Sequence, residues 1–166
     1  MGSAAVRITQ VAVSTPFDNS TNGFTANNVQ AAIEEARNSP GVNMIQASAS
    51  INTTSTTDVV MTGQTYTNAT GAAIKVVAEF NGDVTISATG GVLSTSFYLN
   101  GVQIADTLRK QMADQGALAG PSRFTASLLT KVTIPNGQTL DVRWSTSTGT
   151  ITAAGRVLML TRCGDF

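Results

Sequence analysis

From Met44 to the C-terminus, apolar and β-branched residues recur in short alternating runs, separated by turns that contain glycine, asparagine and proline. This punctuation constrains the fold more than any other feature of the chain. AAIKVVAEF (72–80) sets Ile74, Val76, Ala78 and Phe80 on one face, with Lys75 and Glu79 on the other. A period of two marks a strand with one buried face. VLSTSFYLN (92–100) aligns Leu93, Phe97 and Leu99, and QTLDVRWST (138–146) sets Leu140, Val142 and Trp144 against Asp141, Arg143 and Ser145. Asn81-Gly82 and Asn100-Gly101 end two of these runs, and Asn-Gly is a strong hairpin signal. The reading is a hairpin at each, with DVTISA and VQIADT as the return strands. MIQASASINTT (44–54), TTDVVMT (56–62), RFTASLLTKVTI (123–134), TIT and RVLMLTR (156–162) complete the set, with a turn at Pro135-Asn136-Gly137. Residues 108–122 fit a strand that becomes a loop, or a helical turn. About nine strands at this spacing predict an antiparallel sandwich or barrel. No long helical segment lies between them, which argues against a parallel α/β sheet. A jelly roll and an immunoglobulin-like sandwich both fit the pattern, although the immunoglobulin Cys…Trp…Cys spacing is absent.

Several strands are apolar on both faces. Val77 adjoins Val76, Leu129 adjoins Leu128, and Val157-Leu158-Met159-Leu160 has no polar member. A sandwich strand normally buries one face only. Apolar second faces predict that the outside of one sheet is covered too, most simply by copies of the same chain. Charge points the same way. Formal net charge is zero, and only 12% of residues are charged. Nucleic-acid binding needs a basic field, and a polybasic membrane surface needs clustered Lys and Arg, so both are disfavoured. A small, nearly uncharged protein is a poor candidate for a freely soluble monomer. With 166 residues, 42% of them hydrophobic, the chain can bury one core and still carry an arm.

The N-terminal segment reads differently. Val6, Ile8, Val11 and Val13 are scattered apolar positions before Pro16 and Asn22-Gly23. Residues 1–24 are read as an extended arm, of the kind that packs on its own domain or adds to another protein's sheet edge. Residues 25–40 form a short amphipathic helix and linker, and 41–166 the β domain. Thr25 is placed to cap a helix from about residue 26 to 38. Phe24 and Val29 are placed to form a hydrophobic staple. Val29, Ala32, Ile33 and Ala36 share one face, and Pro40-Gly41 stops the helix. The start of the chain lacks the apolar core of a signal peptide, and no apolar run reaches a membrane span. Asn19, Asn52 and Asn68 head N-x-Ser/Thr sequons, which mean little in a chain this rich in Asn, Ser and Thr.

The residues offer little for catalysis. There is no histidine, which removes the commonest general base and metal ligand. Glu34 and Glu35 are adjacent on the helix and diverge as a solvated face. The aspartates are dispersed, and no spacing resembles a calcium loop. Trp144 alternates as a core residue. Cys163, the single cysteine, reads as a small residue in the last strand. The expectation is no catalytic, cofactor or metal site.

One stretch carries a resemblance. FDNSTNGFTANNVQAAIEEAR (17–37) resembles a segment recurrent in structural proteins of tailed bacteriophages, F-D-N-x-x-N-G-F-x-A-x-x-V-Q-x-A-I-E-E-A. Phe17, Asp18, Asn19, Asn22, Gly23, Phe24, Ala26, Val29, Gln30, Ala32, Ile33, Glu34, Glu35 and Ala36 carry it. Where that family often has Asp, this chain has Asn28. TSTTDVVMTG, FYLNGVQIADT and TIPNGQTLDVRWSTSTGTITAAGRVLMLTR more loosely resemble the C-terminal sandwiches of phage decoration, head-fibre and tail-fibre proteins. The resemblance implies a trimeric jelly-roll module without an active site, preceded by an attachment region. It implies a virion location, on the capsid surface, after synthesis in the bacterial cytoplasm. The expected function is a homotrimeric decoration or head-fibre protein bound to the phage major capsid protein. Val6, Ile8, Val11 and Val13 would contact the capsid, and Phe24, Val29 and Ile33 would pack the helix on its trimer or on the capsid. The alternative is a tail-fibre or receptor-binding module, bound to a tail protein, that recognises a host glycan or protein. The absence of a long repetitive shaft favours decoration.

Overall fold

The computed structural model describes Pro16 and residues 26–38, 42–112 and 122–163. The chain divides into two compact units, Met1–Pro40 and Gly41–Phe166.

In the first unit, helix α1 spans Val29–Asn38. It starts later than the sequence suggests, because Asn28 and not Thr25 caps it. The Asn28 Oδ1 accepts from the Ala31 amide at 2.9 Å, and the Asn28 carbonyl accepts from the Ala32 amide at 3.0 Å. Asn serves at an N-cap at least as well as Thr, and the cap residue must be extended. An isolated antiparallel bridge between Pro16 and Asn28 supplies that extended geometry. With the cap at Asn28, the residue before it and the fourth helical residue are Asn27 and Ala32. The expected Phe24–Val29 staple therefore does not have the right spacing.

Among its described residues the second unit holds ten strands: β1 Val42–Ala47, β2 Ile51–Thr53, β3 Val59–Thr67, β4 Ile74–Ile86, β5 Val92–Leu99, β6 Val102–Gln103, β7 Arg109–Met112, β8 Ser122–Ile134, β9 Thr139–Thr146 and β10 Ile151–Arg162. They form two antiparallel sheets. The first runs β1-β10-β4-β8, with β2 also on β10; the second runs β3-β9-β5-β6, with β7 also on β5. From β3 to β5 and again from β8 to β10, successive strands alternate between the sheets. The architecture is a jelly-roll-type sandwich, which decides between the two expected folds. The β7 strand shows that the ambiguous segment after residue 108 begins as a strand; residues 113–121 lie outside the described residues.

The core lies between the sheets. Ile74, Val76, Ala78, Phe80, Val84 and Ile86 of β4 face inward, as do Leu93 and Phe97 of β5 and Leu140, Val142 and Trp144 of β9, all nearly inaccessible to solvent. Trp144 is a core residue, as its alternation indicates. Strands of 13 residues in β4 and β8 pair over their whole length, Ile74 opposite Ile134 and Ile86 opposite Ser122.

That pairing corrects one expected hairpin. The chain does not turn at Asn81-Gly82; β4 passes straight through, with Asn81 opposite Ser127 and Gly82 opposite Ala126. The glycine serves packing instead. A Cβ on Gly82 would lie 2.8 Å from Cζ of the inward Phe80 ring. The other Asn-Gly does turn. Asn100 and Gly101 have φ of 48° and 84°, as a two-residue hairpin loop requires, and β5 returns as β6. The return strand is only Val102–Gln103, shorter than the VQIADT run. TIT and RVLMLTR join in one strand, β10, with a bulge between Ala154 and Val157.

Candidate functional site: the two outer faces of the sandwich

The residues that do not enter the core form two outer faces. On the first sheet, register sets Met44 opposite Met159, Met159 opposite Glu79, and Glu79 opposite Leu129. This row crosses all four strands. The neighbouring rows place Gln46, Val157, Asn81 and Ser127 in line, then Thr161, Val77 and Lys131. Met44 and Leu129 are 60% and 62% exposed. Val77, Val157 and Met159 are half-buried. At one end Arg123 forks onto Asp83, its Nε donating to Oδ1 at 2.9 Å and its Nη2 to Oδ2. Arg123 thereby holds the Asp83 carboxyl below its ordinary range. The doubly apolar runs noted in the sequence thus converge on one sheet face.

The outer face of the second sheet carries a polar cluster on β5 and β9, flanked by exposed Val60 on β3 and Met112 on β7, at 45% and 66% exposure. Tyr98 on β5 donates its hydroxyl to Asp58 Oδ2 at 2.7 Å, and Ser145 on β9 donates to Asp58 Oδ1 at 2.6 Å. Arg143 donates from Nε to Asp141 at 2.8 Å and lies over the Tyr98 ring, 4.4 Å from its centroid. Stacking and pairing together fix the guanidinium plane. The hydrogen bond to Asp58, with burial adding to it, pushes the Tyr98 phenol up to about 12. Such a phenol stays protonated, and both Asp58 oxygens already accept hydroxyls. The cluster is therefore built to hold the sheet rather than to move protons. Sequence reading placed Asp58 and Asp141 as dispersed charges near strand ends; only the strand register brings them together.

A third feature was not legible. Arg156 sits at the β10 bulge, 2% exposed, with Nη1 donating to the Ala49 carbonyl at 2.8 Å and the Ala153 carbonyl at 2.6 Å. Burial pushes its pKa down. It ties the β1–β2 connection to the bulge, beside a cavity of about 260 Å³ lined also by Gln46, Ala47, Ser48, Gly155 and Val157. Among the described residues no three His, Cys, Asp or Glu side chains gather as a metal site.

Val6, Ile8, Val11, Val13 and Phe24, singled out from the sequence, lie outside the described residues. On α1, Ala32 is buried, Val29 is half-buried, and Ile33 is 55% exposed.

No protein-family model matches the chain, and no curated protein sequence does. Solved structures resemble it, and the one of those given below with a TM-score above 0.5 shows a shared fold. Dimeric latent PorU from Porphyromonas gingivalis aligns over 73% of this chain with a TM-score of 0.53 and 9% identity. VP2 of an infectious bursal disease virus subviral particle aligns over 75% with a TM-score of 0.42 and 17% identity. Eiger TNF from S. frugiperda aligns over 76% with a TM-score of 0.44 and 9% identity, and this chain spans 95% of it. The chain spans only 12% of PorU and 33% of VP2. At these identities the likeness is one of fold.

Proposed function

We propose that this chain is a non-enzymatic structural protein of a tailed-phage virion, a homotrimeric decoration or head-fibre protein held on the major capsid protein by its N-terminal region. The observation that carries the reading is the apolar face of the first sheet. Met44, Met159, Val77, Val157 and Leu129 lie on one surface of a sandwich whose core is already complete on the other side. Apolar residues gathered on an outer face, here with Glu79 between Met159 and Leu129, fit a protein interface. A ring closed by a repeated contact between copies covers that face in every subunit. The resemblance of residues 17–37 to the phage segment supports the virion assignment, and the jelly-roll fold agrees with it. Residues 1–24 act as the arm, 25–40 as the helical connector and 41–166 as the assembling domain. Exposed Ile33 gives the connector an apolar contact of its own. Three arms on one trimer bind with avidity, so each can be weak. Binding only to the assembled shell then stabilises that shell by linkage.

The test is co-sedimentation of the purified protein with phage heads and, separately, with isolated tails, with the stoichiometry measured. Saturable binding to heads at many copies per particle is the expected result. Binding to tails alone, at few copies, overturns decoration in favour of a receptor-binding module. Deleting residues 1–23 is expected to leave a folded oligomer that no longer joins the head.

A further inference from the structure

Four Asn-Gly pairs occur, at Asn22, Asn81, Asn100 and Asn136. In such a pair the glycine amide nitrogen can attack the asparagine side-chain carbonyl, provided both groups are free to meet. The structure describes three of the pairs and sorts them sharply. The Asn81 carboxamide is held on both sides: Nδ2 donates to Glu79 at 2.7 Å, and Oδ1 accepts from Ser127 at 2.6 Å. Gly82 lies within the β4–β8 ladder. At the second pair the Asn136 Oδ1 accepts from the Gly71 amide at 2.9 Å, and the Gly137 amide donates to the Asn68 carbonyl at 2.7 Å. Electrophile and nucleophile are both engaged there. Asn100 differs from both. It is exposed at the tip of the β5–β6 hairpin, its carboxamide has no hydrogen-bond partner among the described residues, and the Gly101 amide has none either. A Cβ on Gly101 would lie 3.9 Å from Nη2 of Arg143, and, its chain neighbours aside, no other heavy atom lies within 4 Å of that position.

We infer that Asn100 is a site of spontaneous deamidation in the folded protein. The Gly101 nitrogen bonds to Cγ of Asn100 and gives up its proton. The Cγ–Nδ2 bond breaks, and ammonia leaves with that proton. Water then opens the resulting succinimide to aspartate or isoaspartate. Either product replaces a neutral amide by a carboxylate, so a chain of zero formal net charge becomes negative. Isoaspartate also lengthens the backbone inside a two-residue loop whose geometry both positive φ values define. The short β6 strand, joined to β5 by only two residue pairs, is the element that loosens.

The test is to age the full-length folded protein in a mildly alkaline buffer beside a denatured control and map deamidation by peptide mass spectrometry. In the denatured control all three pairs are expected to react at similar rates. In the folded protein Asn100 is expected to react about tenfold or more faster than Asn81 or Asn136, because those sites must first break two hydrogen bonds. An acidic shift on isoelectric focusing should accompany it and be smaller in Asn100→Ser, with the fourth pair, Asn22-Gly23, followed by its own peptide. If Asn100 stays intact in the folded protein while it reacts in the control, the inference is overturned. It is equally overturned if Asn81 or Asn136 keeps pace with Asn100.

Discussion

Asn68 shows how far one side chain can reach in this fold. It is fully buried. Its Nδ2 donates to the carbonyls of Ala72 and Ile134 at 2.8 and 2.7 Å, and its Oδ1 accepts from the amide and hydroxyl of Thr70 at 3.1 and 2.8 Å. The side chain thus stitches the β3–β4 connection to the end of β8. As a sequon, Asn68 is closed in the folded state, because every polar atom of its amide is engaged. Asn68→Ala removes all four of these hydrogen bonds, the buried one to the Ile134 carbonyl among them, and is expected to cost about 2–4 kcal/mol, read as a lowered denaturant midpoint. Tyr98 gives a pH-dependent counterpart. Its ordinary value is 10.0, and the fold pushes it up to about 12, chiefly through the hydrogen bond to Asp58. The folded state therefore binds the phenolic proton more tightly than the unfolded one. That contribution to stability is full below the unfolded value and is lost as pH rises from about 10 through about 12. Denaturation midpoints across that range should fall less steeply in Tyr98→Phe than in the parent protein. Equal slopes would rule out the Asp58–Tyr98 bond as the source.

At the scale of elements, periodicity carried most of the fold and turn signals carried less. The inward alternation of β4, β5 and β9 was legible because each strand buries one face against a single core. Asn81-Gly82 misled because the dipeptide signals a turn only where the alternation stops. Here the inward phase runs on from Phe80 through Gly82 to Val84 and Ile86, all buried. The two partners of β4 are also long: 13 residues in β8 and 12 in β10. The helix start was misplaced for a similar reason. Thr25 and Asn28 are both good caps, and the Pro16 bridge that favours Asn28 is not a sequence-local feature. The packing role of Gly82 can be measured by a double-mutant cycle. Gly82→Ala drives a Cβ into the Phe80 ring and is expected to cost about 1–3 kcal/mol. Phe80→Leu removes Cζ, so adding Gly82→Ala to it should cost about 1 kcal/mol less than in the parent. Additive losses would mean that the glycine is needed for another reason.

For the whole molecule, the sequence disclosed that some strands are apolar twice over but not where those second faces go. Register decides this, because one residue of slip sends every side chain to the opposite face. Once β1, β10, β4 and β8 are aligned, Met44, Met159, Val77 and Leu129 share a single surface, while Asp58, Tyr98, Asp141 and Arg143 share the opposite one. On the second sheet, exposed Val60 and Met112 lie on the same face as a polar network whose members satisfy one another. An apolar row gains roughly 25 cal/mol for each Å² withdrawn from water. If copies of the chain meet as proposed, the row on the first sheet is the surface to test. Met44→Lys with Leu129→Glu changes the two most exposed side chains of that row and leaves the core untouched. The double variant is expected to keep the monomer's far-ultraviolet spectrum and lose the oligomer in sedimentation velocity. The same pair of changes displayed on the Tyr98 face, at Ser94→Lys and Thr65→Glu, should leave the oligomer intact. Loss of assembly from the second pair alone would place the interface on the polar sheet and overturn the assignment of the apolar one.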